Sequence, residues 1–166
     1  MPYAYGKGSN RILETTDMVV QRVFRRAIMI SSIDFSFISG KRYPAEQLQL
    51  YIDGDSQLNG IPKGVKSGNV TGTGVSMHQL GFAGDVVAWV EGESDFKLKH
   101  FIPIAEAVQK ACRLEGVEMI WGGCWDKPLT KCQNVRSEMN RYKRRRLSMG
   151  KKPFIDAGHF QLERRL

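Results

Sequence analysis

Apolar residues return every three or four positions in LETTDMVVQRVFRRAIMI: Leu13, Val20, Val23, Phe24 and Ala27, with Ile28 and Ile30 following. That spacing predicts an amphipathic helix with Arg22, Arg25 and Arg26 on or beside its wet face. The period then drops to two. In IDFSFIS, Ile33, Phe35 and Phe37 alternate with polar residues, which predicts a half-buried strand ended by Gly40. PAEQLQLYIDG predicts a short helix with Pro44 in its first turn and Gly54 beyond its end. DVVAWV (85–90) reads as a strand, and HFIPIAEAVQKACRLEG (100–116) contains a helix that starts near Pro103 and is closed by Gly116. VEMIWGG is a strand running into a glycine pair, and FIDAGHFQLE ends on a strand. Residues 54–75 are rich in Gly, Ser, Asn, Pro and Thr and form a long loop, of the length that in a compact domain is often functional. Helices and strands are interspersed without a βαβ rhythm, without a repeat and without a low-complexity tract. The fold class is α+β, in one domain spanning 1–166.

Composition adds little to this until charge is located. With 42% hydrophobic and 25% charged residues the chain is of the ordinary globular class. No run approaches the roughly 20 apolar residues of a membrane span. The start, MPYAYGKGSN, lacks the apolar core of a secretory signal, so synthesis in the cytoplasm is expected. Three cysteines, Cys112, Cys124 and Cys132, make no CxxC pair and argue against a disulfide framework or a cysteine-rich zinc module; three reduced thiols are expected. The net charge is +8, and residues 126–152 carry all of it, with ten Lys and Arg against Asp126 and Glu138. Within that segment Leu129, Cys132, Val135, Met139 and Tyr142 recur at helical spacing. It reads as a basic, helical insert, with Lys143, Arg144, Arg145 and Arg146 near the negative end of the helix dipole.

Chemistry concentrates in two stretches. SMHQLGFAGD places His78 seven positions before Asp85, and DAGHF places Asp156 three positions before His159. Catalytic zinc needs three protein ligands and one open position, which His78, Asp85 and His159 would supply. Asp156 is the natural acid–base partner, able to take a proton from water and hand it to a leaving amine. Spacing alone is a weak signal, because H-x6-D and D-x2-H both arise by chance. His100 opens a helical region and reads as a surface or capping histidine.

The surrounding residues sharpen this. Ser76, His78, Gly81, Ala83 and Asp85 fit SxHxxGxAxD, which resembles the zinc D,D-peptidase family that cuts peptidoglycan stem peptides. In that family the His and Asp of the motif bind zinc, and a later DxxH, usually after a Trp-Gly-Gly stretch, supplies the base and the third ligand. Here WGGCW (121–125) precedes DAGHFQL, and SGKRYPAEQ supplies Arg42 and Gln47 where the family has an Arg before a Gln-bearing helix. The phage endolysin branch, the L-alanyl-D-glutamate endopeptidases, is more similar still, through YGKGSNRIL and IDFSFISG. The likeness runs from near the start to residue 125 and resumes at 153–162. It implies a central antiparallel sheet with flanking helices, the hedgehog/DD-peptidase-like arrangement. Tyr43 stands where a Thr is usual, Gly84 where an apolar strand residue is usual, and the basic segment is longer than expected. Some members carry an acidic, calcium-responsive loop in that region; Lys and Arg stand there here, and calcium is not carried over.

The resemblance implies a zinc hydrolase of peptidoglycan that lyses the bacterial host. Zinc would sit at His78, Asp85 and His159, Asp156 would act as base, and Arg42 would face the developing oxyanion. Ser76 would support the metal site or is a loop serine. Gln47 is on the helix surface or near substrate, and Trp125 could line a substrate groove, whereas Trp121 reads equally well as core. Lys143, Arg144, Arg145 and Arg146 form a solvated face or attract an anionic envelope surface. The expected partner is peptidoglycan, met by a monomer once the membrane has been breached. A D-alanyl-D-alanine carboxypeptidase would share the zinc site. A basic nucleic-acid-binding module would leave the His and Asp arrangement unexplained, so no nucleic acid partner is expected.

Overall fold

The structure, a computed structural model, describes residues 1–163. Five helices are present among these residues: α1 Lys7–Leu13, α2 Met18–Ile30, α3 Pro44–Ile52, α4 Leu98–Glu115 and α5 Val135–Ser148. The strands are β1 Phe35–Ser39, β2 Lys66–Ser67, β3 Val70–Thr71, β4 Ala83–Val90, β5 Glu93–Asp95, β6 Met119–Trp121, β7 Cys124–Pro128 and β8 His159–Leu162. The main sheet runs β1-β4-β8-β6-β7 with β5 paired to β4, and every pairing in it is antiparallel. This is the α+β arrangement expected from the alternating periods.

The helix predicted from Leu13 onward is two helices. The Thr16 hydroxyl donates to the Leu13 carbonyl at the end of α1, and the Asp17 carboxylate accepts from Val19 N at 2.8 Å to cap α2. Short polar side chains at 15–17 compete for the backbone and break the helix there. The apolar stripe of α2 is buried as its spacing requires, with Val20, Val23, Phe24, Ala27 and Ile28 against the sheet and α4. Phe24 meets Phe37 of β1 and Phe160 of β8 edge to face, with centroids 4.9 and 5.7 Å apart.

Helix α4 begins at Leu98, five residues before Pro103. The Asp95 carboxylate accepts from Lys97 N at 2.8 Å and organises the start, while Pro103 forfeits one bond in the second turn. Gly116, at φ +66°, closes the helix as expected. The basic segment is only partly helical. It opens with the end of β7 and a 3-10 turn over Leu129–Lys131, and α5 starts at Val135 under an Asn134 cap to Ser137 N. All five apolar positions of its stripe are nevertheless buried.

Strand alternation decides where the site lies. On β8, Phe160 points to the helices and the core, so His159 and Gln161 share the opposite face. Gly84 on β4 answers the departure noted in its sequence: a Cβ there would come within 2.2 Å of the Phe37 ring, which occupies the space a larger strand residue would need.

Candidate active site

Asp85 and His159 are direct partners in the antiparallel register of β4 and β8. His78 reaches the same point from the turn that precedes β4. That turn is closed by Gly81 N to the His78 carbonyl and Phe82 N to the Met77 carbonyl, with Gly81 at φ +73°. Its carbonyl is tied to Asp17 N, which fixes it to the cap of α2. The seven-residue interval is thus one tight turn plus the start of a strand.

The three side chains converge. His78 Nε2 is 3.2 Å from His159 Nδ1 and 3.3 Å from Asp85 Oδ1, and His159 Nδ1 is 2.9 Å from the same oxygen. Each ring is held from behind. His78 Nδ1 lies 2.7 Å from the Gly40 carbonyl, which can only accept, so Nδ1 carries the proton and Nε2 presents a lone pair. His159 Nε2 faces the Gln161 amide oxygen at 3.0 Å, which leaves Nδ1 bare in the same way. Two nitrogen lone pairs and a carboxylate oxygen therefore point at one small volume, where His78 is 1% and His159 7% exposed. Such a cluster needs a positive charge at its centre. Burial alone would lower the His159 ring and raise the Asp85 carboxyl. Their mutual contact outweighs it, holding His159 above and Asp85 well below their ordinary ranges. Two imidazoles and a carboxylate are a donor set suited to a divalent metal, and these three residues could hold one.

Asp156 lines the same cavity of about 590 Å³. Burial pushes its carboxyl above the usual carboxylate value. Its backbone is clamped by the glycine pair: Asp156 N donates to the Gly122 carbonyl at 2.9 Å, and Gly122 N donates to the His159 carbonyl at 2.8 Å. A Cβ on Gly122 would lie 2.0 Å from the Asp156 carbonyl oxygen, which is why glycine stands there. Arg42 Nη2 donates to Asp85 Oδ2 at 3.0 Å and lies within reach of Ser39 Oγ, with its guanidinium on the cavity wall. The Ser76 hydroxyl accepts from His78 N at 3.3 Å, so it shapes the turn rather than touching a ring.

Trp125 lines the cavity and stacks on His159 and Phe154, with centroids 5.2 and 5.7 Å apart. Trp121 is fully buried core, donating to the Ala157 carbonyl. Gln47, expected on the helix surface or near substrate, is 0% exposed and does not line the cavity. Its amide nitrogen instead holds Ser56 Oγ and the Leu58 carbonyl, and so carries the segment that forms one wall. The basic cluster is divided. Arg145 pairs with Asp126, together with Arg141, and Arg146 donates to the Lys152 carbonyl. Among the described residues, Lys143 and Arg144 have no carboxylate within ion-pair reach.

The sequence profile of the phage L-alanyl-D-glutamate peptidases matches residues 1–162. The chain belongs to that family. It is 28% identical to the L-alanyl-D-glutamate peptidase of Escherichia phage T5 over 127 residues, 76% of this chain and 84% of the T5 protein. The crystal structure of the Serratia marcescens L-Ala D-Glu endopeptidase ChiX superposes with a TM-score of 0.66 at 26% identity, covering 96% of this chain and 90% of that one. This phage peptidase is accordingly a peptidoglycan hydrolase. The sequence marked neither Gly40 nor Gln161 as a site residue and held Gly122 only as part of the Trp-Gly-Gly stretch; all three orient side chains through contacts that close only in three dimensions. Gln161 leaves its trace two positions after His159 and so on the same strand face.

Proposed function

We propose that this peptidase cuts the bond between L-alanine and D-glutamate in peptidoglycan stem peptides, with zinc held by His78, Asp85 and His159. What carries the reading is the convergence of three lone pairs, each fixed from behind, on one buried point. Zinc bound there would polarise the scissile carbonyl and lower the pKa of a water molecule. Asp156, its carboxyl raised by burial, would take the proton of the attacking water and deliver it to the leaving amine. Arg42 holds Asp85 in place through Oδ2 and presents its remaining N–H groups to the cavity, where an oxyanion would develop.

The cavity continues past the site. A second, largely apolar cleft of about 500 Å³ shares Asp156 with it, takes in Asp85, and is lined by Ile38, Phe96 and Phe101. Clefts on both sides of Asp156 suit a bond inside a longer chain. A D-alanyl-D-alanine carboxypeptidase needs room on one side only. All donors come from one chain, so a monomer suffices. Among the described residues no helix is long and apolar enough to cross a membrane. The peptidase accumulates in the host cytoplasm and reaches the wall once the membrane is breached, with exposed cations of α5 drawing it to the anionic envelope rather than to nucleic acid.

Digestion of purified peptidoglycan, followed by mass spectrometry of the fragments with and without a chelator, tests this. Fragments with new D-glutamate N-termini, abolished by the chelator and restored by zinc, are expected. Release of free D-alanine instead would replace the reading with the carboxypeptidase one.

A further inference from the structure

Two of the three cysteines stand together. Cys124 opens β7 and Cys132 ends the turn before α5, and their sulfurs lie within 4.8 Å of one another and of a Glu138 oxygen. Both are free thiols, 1% exposed. Arg141, whose side chain is 34% exposed, puts Nη2 3.4 Å from Cys124 Sγ. Cys124 Sγ is also 3.4 Å from Asp126 Oδ1, and Cys132 Sγ is 3.6 Å from the Pro128 carbonyl.

The charges nearby select among the chemistries open to such a group. The Glu138 oxygens are taken by Lys127 at 2.7 Å and Arg141 at 2.5 Å, and those of Asp126 by Arg141 and Arg145. Three cations against two carboxylates repel a divalent metal and leave it no unshared carboxylate oxygen. The Cys124 contact first, then Lys127 and Arg141, hold the Cys132 thiol below its ordinary value and favour its reactive thiolate, while the Cys132 contact, burial and Asp126 push Cys124 up. Cys112 has no such partner: it is fully buried in α4, where burial pushes its thiol up to about 12.

We propose that Cys124 and Cys132 are an oxidisable dithiol that closes to an intrachain disulfide, stapling β7 to the segment that leads into α5. At 1% exposure the pair is closed to bulky disulfide reagents, and a small oxidant, hydrogen peroxide, is the class that fits. One thiolate attacks the peroxide and becomes a sulfenic acid as water leaves. The second thiol attacks that sulfur, the S–S bond forms and a second water leaves, so that two electrons pass from the sulfurs to the peroxide. Disulfides persist outside the cytoplasm, where peptidoglycan lies, and not inside it. The staple closes a short loop and fixes the strand that holds Trp125 against His159.

The test uses the whole wild-type chain under native conditions, treated with a few equivalents of hydrogen peroxide, then denatured, alkylated and mapped by mass spectrometry. The expected result is a loss of about 2 Da, one alkylatable thiol in place of three, and a reductant-sensitive peptide joining Cys124 to Cys132 with Cys112 free. The thermal midpoint should rise by a few degrees on oxidation and fall back on reduction. Cys132→Ser should show neither change. Three thiols still alkylatable, a bridge that includes Cys112, accumulation of sulfinic acid without a bridge, or a bridge that leaves the midpoint unmoved would each overturn the proposal. The wild-type mapping decides the matter even if the variant does not fold.

Discussion

His78 is aimed by a backbone carbonyl, Gly40, that lies 38 residues away in sequence. At the residue scale this is the general division between what the chain shows and what it hides. His78, Asp85, Asp156 and His159 are legible because their spacings reflect local geometry, a tight turn into a strand and a loop into its neighbour. The reason for Gly40, and for Gly122 within its Trp-Gly-Gly stretch, is not, because it is a close approach by a distant segment: Thr15 Oγ1 at 2.5 Å from a Cβ on Gly40, the Asp156 carbonyl at 2.0 Å from one on Gly122. Gly122→Ala should therefore push Asp156 out of place, costing about 1–3 kcal/mol of stability in chemical denaturation together with most of the activity. Asp156→Ala should keep the fold and the metal and lose hydrolysis by on the order of 100-fold or more. Near-normal turnover would assign the base to another group. Arg42→Ala should lose activity on a similar scale.

At the scale of elements, periodicity identified the faces of α2 and β1 correctly, because burial on one side enforces it. It missed the break between α1 and α2 and the start of α4, where single side chains, Asp17 and Asp95, satisfy backbone N–H groups and so set the boundary. Helix α5 depends on a network of the same kind. Asp126 on β7 accepts from Arg141 and Arg145, and its carboxyl is held well below the usual range, first by the Arg141 hydrogen bond. A carboxyl depressed in the folded state stabilises fully above its unfolded pKa of about 3.9 and loses that contribution as pH falls through the lower folded value. Asp126→Asn should cost about 1 kcal/mol near neutral pH, less at high salt because the pair is partly exposed. The gap between variant and wild type should close in acid. A gap independent of pH would mean that packing, not charge, holds α5.

For the whole molecule, charge was legible as a sum but not as a surface. Residues 126–152 hold the entire +8, yet Arg141 and Arg145 are committed to Asp126, and Lys127 to Glu138. A variant that tests envelope attraction should therefore spare Arg145. Replacing Lys143 and Arg144 with Gln should weaken lysis of permeabilised cells and flatten its salt dependence, since charge open to solvent is screened over roughly 8 Å at physiological ionic strength. Cleavage of a small soluble muropeptide should hardly change. Equal losses on both substrates would give the segment a role in the fold or the site instead.

The central claim is that His78, Asp85 and His159 form one metal site. Measurement of metal content in the purified protein and in His78→Ala, Asp85→Ala and His159→Ala tests it most directly, read beside circular dichroism to confirm folding. About one zinc per wild-type chain and loss of the metal in each folded variant is the predicted result. Full zinc occupancy in all three variants would contradict it.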